Sequence, residues 1–427
     1  MSAARPVLSR PPAAARSWLQ ARWKGLLIFL SVVGPGIITA NVDNDAGGIT
    51  TYSLAGAHFG QTLLWALVPI AFALVLVQEM TSRLGVVTGQ GLADLIRERF
   101  GVRITFYLML CLIVTNFGNA VAEFAGVASA MEIFGVSRHL AVPVAAFFVW
   151  WLVVKGTYST VEKIFLSACV FYLAYIVAGV KVAPNWPSLL REVARPQGTL
   201  STEYLVMLTA LVGTTIAPWM QFYQQASIVE KGVRIEEYRY SRWDVILGSV
   251  MVTVVAFFIM VTCAETLFRS GIRIETAKDA ALALAPIAGK YNAYLFAFGL
   301  LNASLFAASI LPLSTAYTVC EGMGWEVGVD RKFAEAPQFY GLYSLIILLA
   351  AAAILLPGMP LIKIMFLSQV LNGLVLPFIL IFMMILVNDR ELMGEYANGR
   401  WANIAGITVV SLLILLSLFL VASPLFS

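Results

Sequence analysis

The sequence predicts an all-α polytopic membrane protein made of two related halves. Three observations lead there. Of the 427 residues, 60% are hydrophobic and 12% charged, half the charge of an ordinary soluble domain at about 25%. Apolar stretches long enough to cross a bilayer, about 20 residues each, recur from end to end. Two of those stretches, five spans apart, are interrupted in the middle by residues that lipid does not tolerate. Paired broken helices in matching positions are the signature of an inverted-repeat transporter.

The first span covers 26–57 and is interrupted by 41-NVDNDAGGITT-51. Spans follow at 62–83, 104–134, 140–155 and 161–182. The second interrupted span is 203–229, and after it come 244–268, 292–322, 338–356, 361–387 and 402–422, about eleven in all. The first repeat is then about 25–182, the second about 203–388, and 402–422 is an accessory helix. Residues 1–24 hold Arg5, Arg10, Arg16, Arg22 and Lys24 with no apolar core between them. They read as a cytosolic arm rather than a signal peptide. With the N-terminus inside, cytosolic Lys and Arg outnumber outer ones about two to one. An odd number of spans then puts 423-SPLFS-427 outside. No linker divides residues 25–427, which read as one transport domain of the plasma membrane. The partner implied is the lipid bilayer. The net charge of +4 follows topology and points to no nucleic acid, and no obligate protein partner is evident. Cys111, Cys169, Cys263 and Cys320 stand singly and read as packing residues; His58 and His139 are too few for an imidazole-rich zinc site. Glu79 and Arg83, one helical turn apart, read as an ion pair.

The interruptions carry the function. In 204-YLVMLTALVGTTIAPWMQFYQQASIV-229, Pro218 removes a donor and clashes with the preceding turn, so the helix breaks there. In the first span Gly47 and Gly48 permit unwound backbone. Backbone freed inside a membrane must be satisfied by protein or by a wet cavity. The carbonyl end of a half-helix carries partial negative charge, and a carboxylate beside it favours a cation. The competing reading is that Asp43, Asn44 and Asp45 only cap a half-helix. Two aspartates two residues apart point in different directions, so one of them faces the site. An intramembrane aspartyl protease would need two facing carboxylates sharing a proton, but both candidates lie on one segment.

The runs 34-GPGIITANVDNDAGGITTYSLAGA-57, 82-SRLGVVTGQGLADL-95, 213-GTTIAPW-219 and 368-SQVLNGLVLPF-378 resemble the NRAMP divalent-metal transporters. The resemblance extends over nearly the whole chain. It implies a LeuT-type fold, two inverted five-helix repeats plus an eleventh helix, and alternating access instead of enzymatic chemistry. No cofactor is implied; the metal is cargo. The family's Asp-Pro-Gly-Asn falls on 45-DAGG-48, keeping Asp45 and placing Gly48 where the asparagine would be. Its Met-Pro-His falls on 217-APW-219, giving Ala217 and Trp219. The alanine whose carbonyl binds metal falls on Thr214, and a second sixth-helix histidine on Gln224. In the third helix Ala120 replaces an aspartate while Glu123 is kept. This pattern resembles the NRAMP-related magnesium transporters, a side branch.

The chemistry agrees with that branch. A thioether helps hold Mn²⁺, Fe²⁺ or Cd²⁺ against harder ions, and Ala217 lacks it. Mg²⁺ dehydrates reluctantly and is held through one or two carboxylates with several waters kept. The expected metal-binding residues are therefore Asp45, with Thr214 and Ala217 through their carbonyls and Gly48 making room. Asp43, Asn44, Gln369, Asn372, Trp219, Gln224 and Glu123 are expected to line the cavity or lie behind the ligands. Gln221, Gln224 and Gln225 suit either a wet passage or a hydrogen-bonded seam between helices. The expected function is uptake of Mg²⁺, and also Mn²⁺, without proton coupling. The alternatives are a proton-coupled Mn²⁺/Fe²⁺ transporter and a sodium-coupled amino-acid carrier, whose substrate carboxylate Asp45 would repel.

Overall fold

In the computed structural model, residues 34–155, 173–182, 185–196, 198 and 201–422 are described. The predicted cytosolic arm, positions 161–172 of the fifth span and the terminal 423–427 lie outside the described residues.

The first span is two helices, α1 (Pro35–Val42) and α2 (Ala46–Phe59). Then come α3 (Leu67–Thr88), α4 (Leu92–Ile133), α5 (Arg138–Lys155), α6 (Leu173–Lys181) and the short α7 (Trp186–Ala194). The sixth span is again two helices, α8 (Thr202–Thr215) and α9 (Pro218–Glu230). It is followed by α10 (Tyr238–Cys263), α11 (Asn292–Met323), α12 (Pro337–Ile354), α13 (Leu361–Asn388) and α14 (Arg400–Ala422). Nine helical stretches among the described residues are long and apolar enough to cross a membrane. They match every predicted span except the first, which is split, and the fifth, described only over α6.

Burial sorts centre from edge. The most apolar window of the α8–α9 span is 89% buried, whereas that of α14 is 11% buried. The broken helix is thus central and the accessory helix faces lipid. At Gly213 an added Cβ would run into the backbone of Gln369 and Gly373, and at Gly373 into that of Thr209. This glycine contact lets α8 and α13 cross with their backbones touching.

One helix grips both halves of the first span. Asp244 on α10 accepts from the backbone N–H groups of Gly34, Gly36 and Ile37 at 3.1, 2.6 and 3.3 Å. These are orphan donors of the α1 N-terminus, which a carboxylate both satisfies and stabilises through the helix dipole. At the other end, α10 runs into a π-helical turn, Ala264–Phe268. Its Glu265 accepts from Gln61 just beyond α2 at 2.5 Å and pairs with Arg269 at 2.7 Å. Asp244→Ala strands several buried donors. It is expected to cost about 2 kcal/mol or more, seen as a lower melting temperature in detergent, with Asp244→Asn intermediate. An unchanged melting temperature in Asp244→Ala would show that α1 does not depend on this anchor.

Two details differ from the sequence reading. The glycines are not the unwound part of the first break: Gly47 and Gly48 lie in the first turn of α2, and the unwound residues are Asp43, Asn44 and Asp45. The third span begins earlier than predicted, at Leu92, because a leg before Gly101 is helical too; Gly101 itself bends the chain at φ 81°, a conformation that only glycine adopts easily. Glu79 and Arg83 pair at 3.4 Å, as expected, and Arg83 also donates to the Tyr396 carbonyl at 3.1 Å.

Candidate functional site

Both breaks follow from local chemistry. In an unbroken helix the Thr214 carbonyl would accept from residue 218, but Pro218 has no N–H. That carbonyl is released at the end of α8, and Pro218 starts α9 at a position where its missing donor does no harm. Ala217 adopts the extended N-cap conformation (φ −72°, ψ 143°), and its carbonyl accepts from Met220 N at 3.1 Å. In the first break Asp45 is the N-cap of α2, accepting from Gly48 N at 2.6 Å through Oδ1. The capping reading is therefore true of Asp45. It uses one oxygen for a backbone bond and does not exhaust the carboxylate.

Glu123 stands closer to this centre than its sequence position suggested. Its Oε2 accepts from Ala46 N at 3.2 Å, and its carboxyl group touches that of Asp45. The N-terminus of α2 thus faces two carboxyl groups, one from the break itself and one from α4. Asp43, Asn44, Asp45, Glu123, Thr214 and Trp219 are all buried. Around the two breaks, both oxygens of Asp43, the amide of Asn44, Oε1 of Glu123 and Oγ1 of Thr214 have no protein partner.

The other expected residues divide into two groups. Gln369 packs against Gly47 so closely that an added Cβ there would meet its amide. Asn372 donates to Gln369 Oε1 at 2.9 Å and exchanges amide hydrogen bonds with Asn119 of α4 at 3.0 Å in each direction. These residues form an amide ladder that ends at the first break. Gln224 lies further down α9, donating to the Gln78 carbonyl at 2.8 Å, and Gln225 donates to that of Gln90 at 2.9 Å. These two form the seam of the sequence reading. Yet Gln224 Oε1, Gln225 Oε1 and both polar atoms of Gln78 remain without protein partners, so the seam keeps spare polar atoms. Trp219 is fully buried, with its ring against Tyr223 at 6.2 Å between centroids and its carbonyl accepting from Ser314 at 3.1 Å. At Gly48 the expected room is not open, because the direction of a side chain is filled by the Asp43 carbonyl.

Two participants were missed in the sequence. Tyr52, two turns into α2, shares a 2.8 Å hydrogen bond with Thr215 at the end of α8 and so ties one break to the other. Asn119 lies one turn before Glu123 on the same face of α4; Asn116 and Asn119, seven and four residues before Glu123 in a mostly apolar span, were the available signal.

Residues 36–423 match the model of the family described as natural resistance-associated macrophage protein-like, Nramp. The chain belongs to the Nramp family. Among curated relatives, the divalent metal cation transporter MntH of Pectobacterium carotovorum is 28% identical over 403 residues, covering 92% of this chain and 94% of the relative. The MntH of Klebsiella pneumoniae is 26% identical over 406 residues, covering 93% and 95%. Among solved structures, the Eremococcus coleocola manganese transporter superposes with a TM-score of 0.79 at 22% identity, over 94% of this chain and 87% of the other. The nucleobase-cation-symport-1 family transporter Mhp1 gives 0.58 at 16% identity, over 92% and 94%. These likenesses establish the Nramp chain's fold as the LeuT type expected. Membership of a transporter family also sets aside the protease alternative.

Proposed function

We propose that this Nramp chain is a multi-pass plasma-membrane transporter of divalent cations that carries Mg²⁺, and also Mn²⁺, largely hydrated, by alternating access. Asp45 anchors the ion from the first break and the freed Thr214 carbonyl faces it from the second. Ala217, whose carbonyl accepts from Met220 N and from the Gln221 amide, adds that carbonyl once Gln221 turns away, and Gly48 keeps the first turn of α2 close. The N-terminus is cytosolic and the C-terminus outside, as the distribution of Lys and Arg favours. The names of the MntH relatives and of the manganese transporter support a divalent metal as cargo.

The observation that carries the hydrated-ion reading is the set of buried acceptors without partners on Asp43, Asn44, Glu123 and Thr214. Buried polar groups are normally satisfied. Waters bound to a cation are strong donors, so an ion that keeps its waters supplies what these oxygens lack. A stripped ion would leave most of them unpaired. The absence of a thioether at Ala217 and of imidazole at Trp219 points the same way. Ion flux into proteoliposomes with Mg²⁺, Mn²⁺ and Ca²⁺ in parallel tests the reading. Flux of Mn²⁺ with none of Mg²⁺ would overturn it.

A selectivity variant sharpens this. Ala217→Met restores sulfur at the second break without touching Gly48, where a side chain would collide. The Mn²⁺-to-Mg²⁺ preference in calorimetric binding is expected to rise roughly tenfold, about 1.4 kcal/mol. An unchanged preference would show that this position does not set selectivity. A second reading, a proton-coupled transition-metal transporter, is favoured by one observation, the contact of Glu123 with Asp45.

A further inference from the structure

We propose that a crevice between α4, α13 and α14 binds an anionic phospholipid, with its phosphate on Arg99 and Arg390 and its acyl chains against α13 and α14. The cavity is about 640 Å³, within the range of about 300–1,000 Å³ usual for small-molecule sites. Its lining changes character along its length. Arg99, Asn388 and Arg390 stand at the helix ends. Ile381 and Ile385 on α13, with Ile407 and Val410 on α14, lie one to three turns further in. Three of these apolar side chains, Ile381, Ile385 and Ile407, are 38%, 44% and 59% exposed, so the inner part opens sideways toward lipid.

The polar end is built by the chain's own bend. Arg99 lies two residues before Gly101, whose left-handed conformation turns the α4 leg. Asp389 pairs with Arg99 at 3.2 Å but also accepts from Glu391 N at 3.0 Å. Arg390 makes no ion pair among the described residues. Two guanidinium groups against one carboxylate make the crevice lining itself net positive at the end of an apolar slot, with Glu98 and Glu391 in the adjoining hollow on the far side of Arg99 and Asp389. That combination suits a phosphodiester carrying two hydrocarbon tails: arginine matches phosphate oxygens in pairs, and basic pockets between transmembrane helices on the cytosolic side bind anionic headgroups. In the N-inside orientation the crevice lies at the cytosolic leaflet. The lipid would bridge α4 and α13, the helices that bring Glu123, Gln369 and Asn372 to the breaks. The inference does not depend on which ion is carried.

The test is lipid binding to the purified full-length protein, followed by native mass spectrometry and by thermal protection in detergent. Phosphatidylglycerol, phosphatidylcholine of the same chains and soluble glycerol phosphate are compared. Phosphatidylglycerol is expected to bind and protect, with affinity falling roughly tenfold or more in Arg99→Gln/Arg390→Gln. Phosphatidylcholine and glycerol phosphate should do neither. Val410→Trp, which fills the slot and leaves both arginines, should also lose the lipid. Equal protection by phosphatidylcholine would reduce the crevice to a nonspecific apolar surface. Equal protection by glycerol phosphate would make it a simple anion site. Undiminished phosphatidylglycerol binding in either variant would place the lipid elsewhere; each of these results overturns the proposal.

Discussion

Asp45→Asn is expected to abolish Mg²⁺ uptake while leaving the protein folded. The asparagine is the informative change because the structure gives Asp45 two jobs. Its Oδ1 caps α2 through Gly48 N at 2.6 Å, and in the proposed function its charge anchors the ion. Asparagine caps a helix about as well as aspartate, whereas alanine costs about 1 kcal/mol. The charge matters far more to the cation. A unit charge pair at about 4 Å is worth about 4 kcal/mol at an effective dielectric of about 20, and a divalent ion feels roughly twice that. Even with half of it offset by desolvation, affinity should fall on the order of a hundredfold or more. Asp45→Ala should lose uptake equally and melt lower as well. Wild-type flux in a well-folded Asp45→Asn protein would reduce Asp45 to a cap.

Much of this was readable in the chain. Pro218 announced the second break because proline's missing donor acts locally, whatever surrounds it. The span positions followed from apolar length alone. Two things were not readable. Gly47 and Gly48 suggested unwound backbone, but they serve close approach, of the Gln369 amide and of the Asp43 carbonyl. Only the neighbours distinguish those uses, and neighbours are tertiary facts. Glu123 was likewise ambiguous, since a lone acid on a buried helix can be structural or functional. Its contact with Asp45 and Ala46 N depends on how α4 crosses α2, which no local pattern encodes. Asp244 sits more than two hundred positions from the helix end it caps, and it reads as an ordinary interface residue until the two are brought together.

The second large effect expected is a negative one: Mg²⁺ influx that carries no protons. A proton relay through membrane helices needs a succession of titratable groups. Glu123 touches Asp45 and could accept or release a proton there, so a first link exists. The onward links do not follow from the neighbours. Along the same face of α4, Asn119 and Asn116 bond to Asn372 and Thr315 at 3.0 Å each, and Ser129 lies on the other side. On α9 the corresponding position is Gln224, which bonds to a backbone carbonyl. Amides and hydroxyls of this kind do not change charge in the useful range. Asp43, the other carboxyl at this break, belongs with Asp45 to the ion site itself; past these two a proton on Glu123 has no carrier among these groups, and Mg²⁺ would move down its own gradient and the membrane potential. The potential suffices, since one charge crossing 100 mV gains about 2.3 kcal/mol and a divalent ion roughly twice that. Proteoliposomes at symmetrical pH should take up Mg²⁺ faster when the inside is negative, with lumenal pH constant once lipid leak is subtracted. Glu123→Gln should not alter that pH trace. Lumenal acidification in step with Mg²⁺ influx, and its loss in Glu123→Gln, would make Glu123 the proton carrier and turn the protein into a coupled transporter.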